Sequence, residues 1–186
     1  MFILLAIPVG IAVGYLVGGR ISNLAGFRFR WAPLAVGGLV VQVVLFTQFG
    51  HQLAGGWEPA IYVGSTLVVF AAVLRNLRLT GMPIVAIGAT SNLIAIIANG
   101  GAMPADAAAL AAAGLDGPGE HTNSVVLADP ALRPLTDIFA IPAWLPLANV
   151  FSVGDVLIGL GVVIVIAAAM RPARRRLAPG APATGW

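Results

Sequence analysis

Cysteine and lysine are both absent from the 186 residues of this chain, and charged residues of all kinds make up only 9%. Without cysteine the chain can form no disulfide, no thiolate metal site and no cysteine nucleophile. A soluble domain carries roughly 25% charged residues, so this chain has too little charge to cover a soluble surface. The composition therefore excludes a soluble enzyme, a disordered chain and a nucleic-acid-binding module.

Apolar residues make up 59% of the chain and give it a mean hydropathy of +0.97. They form five runs, each close to the roughly 20 residues that a membrane-spanning helix needs. We predict an all-α, polytopic transmembrane helix bundle, a single membrane domain over residues 1–176 followed by a disordered tail over residues 177–186. The predicted spans are residues 1–18, 33–49, 59–74, 82–98 and 153–170.

Arginine placement predicts the orientation of these spans. The first span has no basic residue ahead of it, so we expect a retained span rather than a signal peptide. With the N-terminus outside and the C-terminus in the cytoplasm, every arginine except Arg133 lies on the cytoplasmic side, as the positive-inside rule requires. All seven acidic residues then lie outside or at the outer membrane entry.

A long outer loop is predicted over residues 99–151, and loops beyond about 15 residues are usually functional or disordered. Residues 104–115 are rich in alanine and predict a short helix with Asp106 in its first turn. Residues 139–148 are apolar, too short to span a membrane and interrupted by two prolines. They predict a segment that lies at the outer interface or dips back into the membrane.

Asp137 and Asp155 are the candidate catalytic residues, because the chain between them is long enough to bring both carboxylates together. Two adjacent carboxylates in a partly dry site share a proton, which gives an acid beside a base that can activate water. Each aspartate also has a structural interpretation. Ser152 and Asp155 have the spacing of a helix capping box, and Asp137 could bond to nearby amides or to Arg133.

Asn92 is the polar residue that costs most to place within a span, so we expect it to face another helix or a cavity. Gln42 on the second span is a possible partner, and a ligand or ion is the alternative. Three further candidate binding residues border the loop: Asn99, Asn149 and Ser152. We predict no cofactor and no metal, because the outer histidines and glutamates lack metal-ligand spacing: His51, Glu58, Glu120 and His121.

Gly10, Gly14 and Gly18 recur every four residues and therefore share one face of the first span. In lipid, such a face allows another backbone to approach closely. The predicted partners are the lipid bilayer and another membrane protein on this face, and no nucleic acid is expected.

Three sequence runs in and beside the loop carry a resemblance that covers nearly the whole chain. The runs Asn99-Gly100-Gly101-Ala102-Met103-Pro104, Asp137-Ile138 with Pro142, and Asn149-Val150-Phe151-Ser152-Val153-Gly154-Asp155 resemble an uncharacterised family of small bacterial multi-pass membrane proteins. This resemblance implies a protein of the bacterial cytoplasmic (inner) membrane and implies no activity.

A more local similarity, over about a third of the chain, is to lipoprotein signal peptidase, an aspartyl peptidase of the outer membrane face. Ser91-Asn92-Leu93-Ile94 is similar to its asparagine motif, Asp137-Ile138-Phe139 to its first aspartate motif, and Ser152-Val153-Gly154-Asp155 to its last. The resemblance implies that Asp137 and Asp155 would be the catalytic pair.

Three functional hypotheses follow from the sequence. The favoured one is a non-catalytic subunit or partner-binding membrane protein, since no convincing nucleophile is present. The first alternative is an outer-face aspartyl hydrolase that uses Asp137 and Asp155 on a lipid-linked or membrane-inserted substrate. The second is a small transporter or ligand-binding protein that uses Asn92 and Gln42.

Overall fold

The computed structural model describes residues 3–115 and 124–172. The predicted tail over residues 177–186 lies outside the described residues, as do Glu120, His121 and the arginines at 174–176. The described chain is mainly helical, and its seven α-helices are α1 Ile3–Leu16, α2 Ala32–Leu45, α3 Gln48–Ala54, α4 Glu58–Arg75, α5 Met82–Ala98, α6 Ala107–Ala113 and α7 Val153–Ala169.

Five of these helices, α1, α2, α4, α5 and α7, coincide with the five predicted apolar runs, and local sequence signals explain where several begin. Proline occupies the first turn of α2, α4 and α5, where its missing amide leaves no hydrogen bond unmade. The side chain of Ser152 caps α7. Most are shorter than predicted, because capping residues and turns end them before the apolar run ends.

One helical segment within the described residues is long and apolar enough to cross a membrane. It joins α3 and α4 through a 3₁₀ turn, Gly55–Trp57, and runs for 28 residues from Gln48 to Arg75. Only 22% of its most apolar 18-residue stretch is buried within the molecule. The helices α1, α2, α5 and α7 are apolar but have 14 to 17 residues each.

The long helices form an open arc. α2 packs against α4, α4 against α5, α5 against α7, and α7 against α1. None of the substantial helix contacts in the described chain joins α2 to α7, so the arc has a concave side.

Glycines allow α5 and α7 to approach closely in two places. A Cβ atom built on Gly161 would lie 2.9 Å from the carbonyl oxygen of Gly81, and one built on Gly154 would lie 2.8 Å from that of Gly88. Such separations leave no space for a side chain. Gly81 and Gly88 are seven residues apart, as are Gly154 and Gly161, and the two pairs meet in opposite order. These four glycines therefore bring the antiparallel helices α5 and α7 together.

The predicted glycine face of the first span packs within the chain. A Cβ on Gly10 would lie 3.0 Å from Cβ of Ile166, and one on Gly14 would overlap the side chain of Met170. Gly18 lies beyond the end of α1 with a φ of +80° and has open space around it. Since α7 covers two of the three glycines, docking of another membrane protein through all three stays a prediction.

The basic residues gather at one end of the arc. The Arg20 amide donates to the carbonyl of Met170 at the end of α7 over 2.8 Å, and the Arg30 amide donates to Oδ1 of Asn76 just after α4 over 2.8 Å. The Arg75 guanidinium lies over the ring of Trp31, 6.0 Å from its centroid. Glu58, which begins α4, lies at the opposite end.

Residues 99–115 and 124–152 fold over that opposite end and contain short strands, which corrects the all-α prediction in this region. β1 Met103–Pro104 pairs in parallel with β2 Ser124–Val125. β3 Phe139–Ile141 pairs antiparallel with β4 Asn149–Phe151. The predicted interfacial segment over 139–148 is therefore the first strand and turn of a hairpin. The strand was not predicted from the sequence, because the segment contains two prolines and proline is depleted from strands.

The short helix predicted over residues 104–115 is confirmed as α6. Asp106 is its N-cap, and Gly114 ends it with a φ of +68°. The buried faces of α6 and the hairpin share one small apolar cluster, centred on Leu110 and Val150. This cluster makes the loop a folded cap.

Candidate functional site

A cleft of about 330 Å³ lies on the concave side of the arc, beneath the cap. Four helices and two cap residues line it, and its polar members lie in the half nearer the cap. Its lining residues are Leu39, Gln42, Tyr62, Thr66, Val69, Phe70, Val73, Val85, Ala89, Asn92, Ile96, Met103, Asp137, Asp155 and Ile158. Among the described residues, this lining includes two carboxylates and no basic side chain, so it favours positive charge and hydrogen-bond donors.

Asn92 and Asp155 join α5 to α7 on one wall of the cleft. Nδ2 of Asn92 donates to Oδ1 of Asp155 over 2.8 Å. Oδ2 of Asp155 accepts the Ser152 amide over 3.0 Å, and the Asp155 amide donates to Oγ of Ser152 over 3.0 Å. The predicted capping box is therefore present, and Asp155 both caps α7 and binds Asn92.

Ser152 completes this network with one hydroxyl proton and two acceptors. Its Oγ lies 2.9 Å from Oδ1 of Asn92 and 3.1 Å from Oδ2 of Asp155. The hydroxyl is fully buried and can donate to only one of them at a time. Oδ2 of Asp155 also accepts the Ser152 amide, so it keeps one donor whichever acceptor takes the hydroxyl proton.

The network depends on the close contact of α5 and α7. The space that a Cβ on Gly154 would occupy is filled by the carboxamide oxygen of Asn92. Asn92 can reach the start of α7 only because glycine is at this position. The capping box then holds Asp155 in the first turn, where its carboxylate points at α5.

Asp137 reaches the cleft from the cap. Its amide donates to the carbonyl of Pro104 over 2.9 Å, and its own carbonyl accepts the Asp106 amide over 3.0 Å. These bonds fix the backbone of Asp137 beside β1, and the residue is 4% exposed. The structure thus places both predicted aspartates, Asp137 and Asp155, on the lining of one cavity. A proton shared between them stays a prediction.

Two other predicted binding residues lie elsewhere. Asn99 ends α5 and bonds to both backbone groups of Ala131: its Nδ2 donates to the carbonyl over 2.9 Å, and its Oδ1 accepts the amide over 2.8 Å. Asn149 pairs with Ile141 in the hairpin. Neither lines the cleft, because each is used to hold the cap together.

Gln42, the possible partner that the sequence offered for Asn92, bonds to α4 instead. Nε2 of Gln42 donates to Oγ1 of Thr66 over 3.2 Å, because α2 packs on α4 rather than on α5. Gln42 and Asn92 nevertheless line the same cleft. Thr66 and Tyr62, one helical turn apart on α4, line it as well. Tyr62 and Thr66 were not expected as site residues, although their four-residue spacing places them on one helix face.

Asp106 secures the cap next to Asp137. Its Oδ1 accepts the Ala108 and Ala109 amides at 2.9 and 3.3 Å, and its Oδ2 accepts Nη2 of Arg133 over 2.8 Å. The hydrogen bond from Arg133, followed by those from the two amides, lowers the pKa of the Asp106 carboxyl below its ordinary value of 3.8. The predicted interaction of Arg133 is thus made with Asp106.

We expect the contribution of Asp106 to stability to depend on pH. A carboxyl whose pKa is lowered by folding stabilises the fold above its unfolded pKa, and this contribution disappears as the pH falls through the lower folded value. Asp106→Ala should therefore lower the apparent melting temperature at pH 7 and have little effect near pH 2. Asp129→Ala, in the same cap and exposed, is the control. An equal effect of Asp106→Ala at both pH values would contradict the assignment.

No group of three or more potential metal-binding side chains occurs among the described residues. His51 and Glu58 do approach each other, with 2.9 Å between Nδ1 and Oε2. His51 lies within α3 and Glu58 begins α4, and neither lines the cleft.

Comparison with known proteins gives one match. A sequence model of a family of unknown function, DUF5317, matches residues 26–167. This range begins after α1 and includes the whole described lining of the cleft. No curated protein and no solved structure matches the chain. Since the match covers most of its length, the chain belongs to the DUF5317 family of unknown function.

Proposed function

We propose that this chain is a five-span protein of the bacterial cytoplasmic membrane, with its N-terminus and its cap on the outer side. The placement of charge in three dimensions supports this topology. The described arginines other than Arg133 gather at one end of the arc, whereas Asp137, Asp155 and Glu58 lie at the other. This is the asymmetry expected when the arginine end faces the cytoplasm.

Exposed apolar side chains support the same proposal. Large apolar residues are exposed on the outer faces of α2, α4, α5 and α7, among them Val43, Leu67, Ile87 and Leu160. Surfaces of this kind are unusual in soluble monomers and mark contact with lipid or with other proteins. Tilted spans and local bilayer thinning accommodate helices of 14 to 17 residues.

Within this membrane protein, we propose that the cleft binds a small ligand carrying positive charge or hydrogen-bond donors. The observation that carries the proposal is the lining itself: Asp137 and Asp155 both line one cavity, and none of its described lining residues is basic. The cavity volume is at the lower end of the range typical of small-molecule sites. Binding, rather than transport, fits the described lining, because Phe70, Val73 and Val85 make its half nearer the arginine end apolar.

Co-purification tests the proposed binding. The protein would be extracted from bacterial membranes in mild detergent and its bound small molecules identified by native mass spectrometry. We expect one species to remain with the wild type and with the control Asp129→Asn, and to be at least tenfold depleted from Asp137→Asn. The same bound species at the same occupancy in all three proteins would contradict the proposal.

Aspartyl hydrolysis is a second candidate, favoured by the two aspartates on one cavity. In such a reaction one carboxylate would take a proton from water as it attacks, and the other, protonated, would give its proton to the leaving group. A fluorogenic lipopeptide is a suitable probe. Loss of turnover in both Asp137→Asn and Asp155→Asn, with folding retained, would support this activity, and unchanged turnover in either would exclude it.

A non-catalytic role, which the sequence favoured, is compatible with ligand binding. The folded cap supplies a stable surface at the outer end of the helices, built on α6 and the hairpin. Gentle solubilisation followed by mass determination tests this role, since a subunit should purify with a stoichiometric partner.

A further inference from the structure

The cleft has two chemically different halves. Toward the cap, Gln42, Asn92 and the two aspartates present amide and carboxylate groups. Toward the arginine end, the walls are formed by apolar side chains such as Leu39, Phe70 and Val85. A ligand that fills the whole cleft must therefore be polar at one end and apolar at the other.

The cleft is open along one side. Its walls belong to α2, α4, α5 and α7, and the two outer walls, α2 and α7, do not pack substantially against each other. Leu39 lies on the α2 edge of this opening and is 50% exposed. In a chain that spans the membrane, an opening between two spans faces the acyl chains of the bilayer rather than water.

We propose that the cleft takes up a single-chain amphiphile sideways from the outer leaflet, through the gap between α2 and α7. Its apolar chain lies along the wall that contains Leu39 and Phe70, and its head, an ammonium or a donor-rich neutral group, lies beside Asp137 and Asp155. The proposal rests on the ligand cleft inferred above and specifies the class of ligand and its route of entry.

Charge complementarity determines the head group. The described lining holds two carboxylates and no arginine, so an anionic head such as a fatty-acid carboxylate would meet like charge. Asn92 and Asp155 both line the cleft, so a head-group donor at the cap end lies beside carboxamide and carboxylate groups.

Two amines test the proposal on the full-length protein in phosphatidylcholine nanodiscs. Dodecylammonium has an ammonium head and an apolar hydrocarbon chain, whereas 2-hydroxyethylammonium has only the head. Binding would be measured by native mass spectrometry on the wild type, on Asp137→Asn and on two variants of α2. Leu39→Trp narrows the gap. Val40→Trp, at a neighbouring position that is 54% exposed and outside the cleft lining, is the matched control.

We expect dodecylammonium to bind the wild type and Val40→Trp at least tenfold more tightly than 2-hydroxyethylammonium, and Leu39→Trp to weaken it at least tenfold. Equal binding of both amines that depends on Asp137 but not on Leu39 would overturn the lateral route while leaving the ligand cleft intact. Binding of neither amine to the wild type would overturn both proposals. Circular dichroism on both tryptophan variants separates lost binding from lost folding.

Discussion

Gly154→Ala is expected to destabilise the protein and to break the hydrogen-bonded network of the cleft with a single methyl group. The added Cβ would overlap the carboxamide oxygen of Asn92 and lie 2.8 Å from the carbonyl oxygen of Gly88. Backbone cannot move away as a flexible side chain can, so α5 and α7 must separate. Overpacking of this kind costs about 1–3 kcal/mol.

Gly64→Ala is the matched control for this prediction. Gly64 lies within α4, and a Cβ built there has no neighbour within 4 Å. Alanine has the higher helix propensity by up to about 1 kcal/mol, so this variant should keep or raise the apparent melting temperature. Equal melting temperatures for Gly154→Ala and Gly64→Ala would show that the close contact of α5 and α7 is absent.

Removing the side chain of Asn92 is expected to have the second-largest effect. Asn92→Ala leaves Oδ1 of Asp155 without its 2.8 Å donor and leaves a cavity beside Ser152. A buried acceptor that loses its partner costs about 1–3 kcal/mol. Thr90→Ala is the control, because the hydrogen bond that the Thr90 hydroxyl makes within the described residues goes to the Ala86 carbonyl of its own helix.

A double-mutant cycle separates this hydrogen bond from the packing of Asn92. Asn92→Ala, Asp155→Ala and the double variant would be unfolded reversibly in mixed micelles, and their free energies of unfolding compared. We expect the summed losses of unfolding free energy in the two single variants to exceed the loss in the double variant by about 0.5–3 kcal/mol. This is the range for residues in one network. Additive effects would mean that Asn92 and Asp155 do not interact.

The positions of α1, α2, α4, α5 and α7 could be predicted from the sequence, because each apolar run ends at a polar, glycine or proline signal that acts locally. Ser152 and Asp155 illustrate this, since the capping box depends on residues three positions apart. The alanine-rich helix after Asp106 was predictable for the same reason. The hairpin was not, because its strand pairing joins residues eight to twelve positions apart and Pro142 obscured the pattern. Helix α3 was not predicted either, since the second span was expected to continue to residue 49.

The site was predictable only in part. The two aspartates stood out because carboxylates are rare in this chain, and both line the cleft. The partner of Asn92 could not be predicted, since it depends on which helices are neighbours. That arrangement is determined by Gly81, Gly88, Gly154 and Gly161, whose pairing across α5 and α7 leaves no local signal. Gly10 and Gly14 were noticed because they repeat within one helix.

Cysteine labelling tests most directly whether five spans place the cap and its cleft on the outer side of the membrane. Because the chain contains no cysteine, a thiol-reactive label on a single-cysteine variant attaches only at the introduced residue. Exposed positions are therefore suitable sites for such substitutions. A membrane-impermeant maleimide on intact spheroplasts should label Gln52→Cys and Ala111→Cys, and should label Ser22→Cys and Thr80→Cys only after lysis. Labelling of Ser22→Cys or Thr80→Cys before lysis, or protection of Ala111→Cys, would contradict the account.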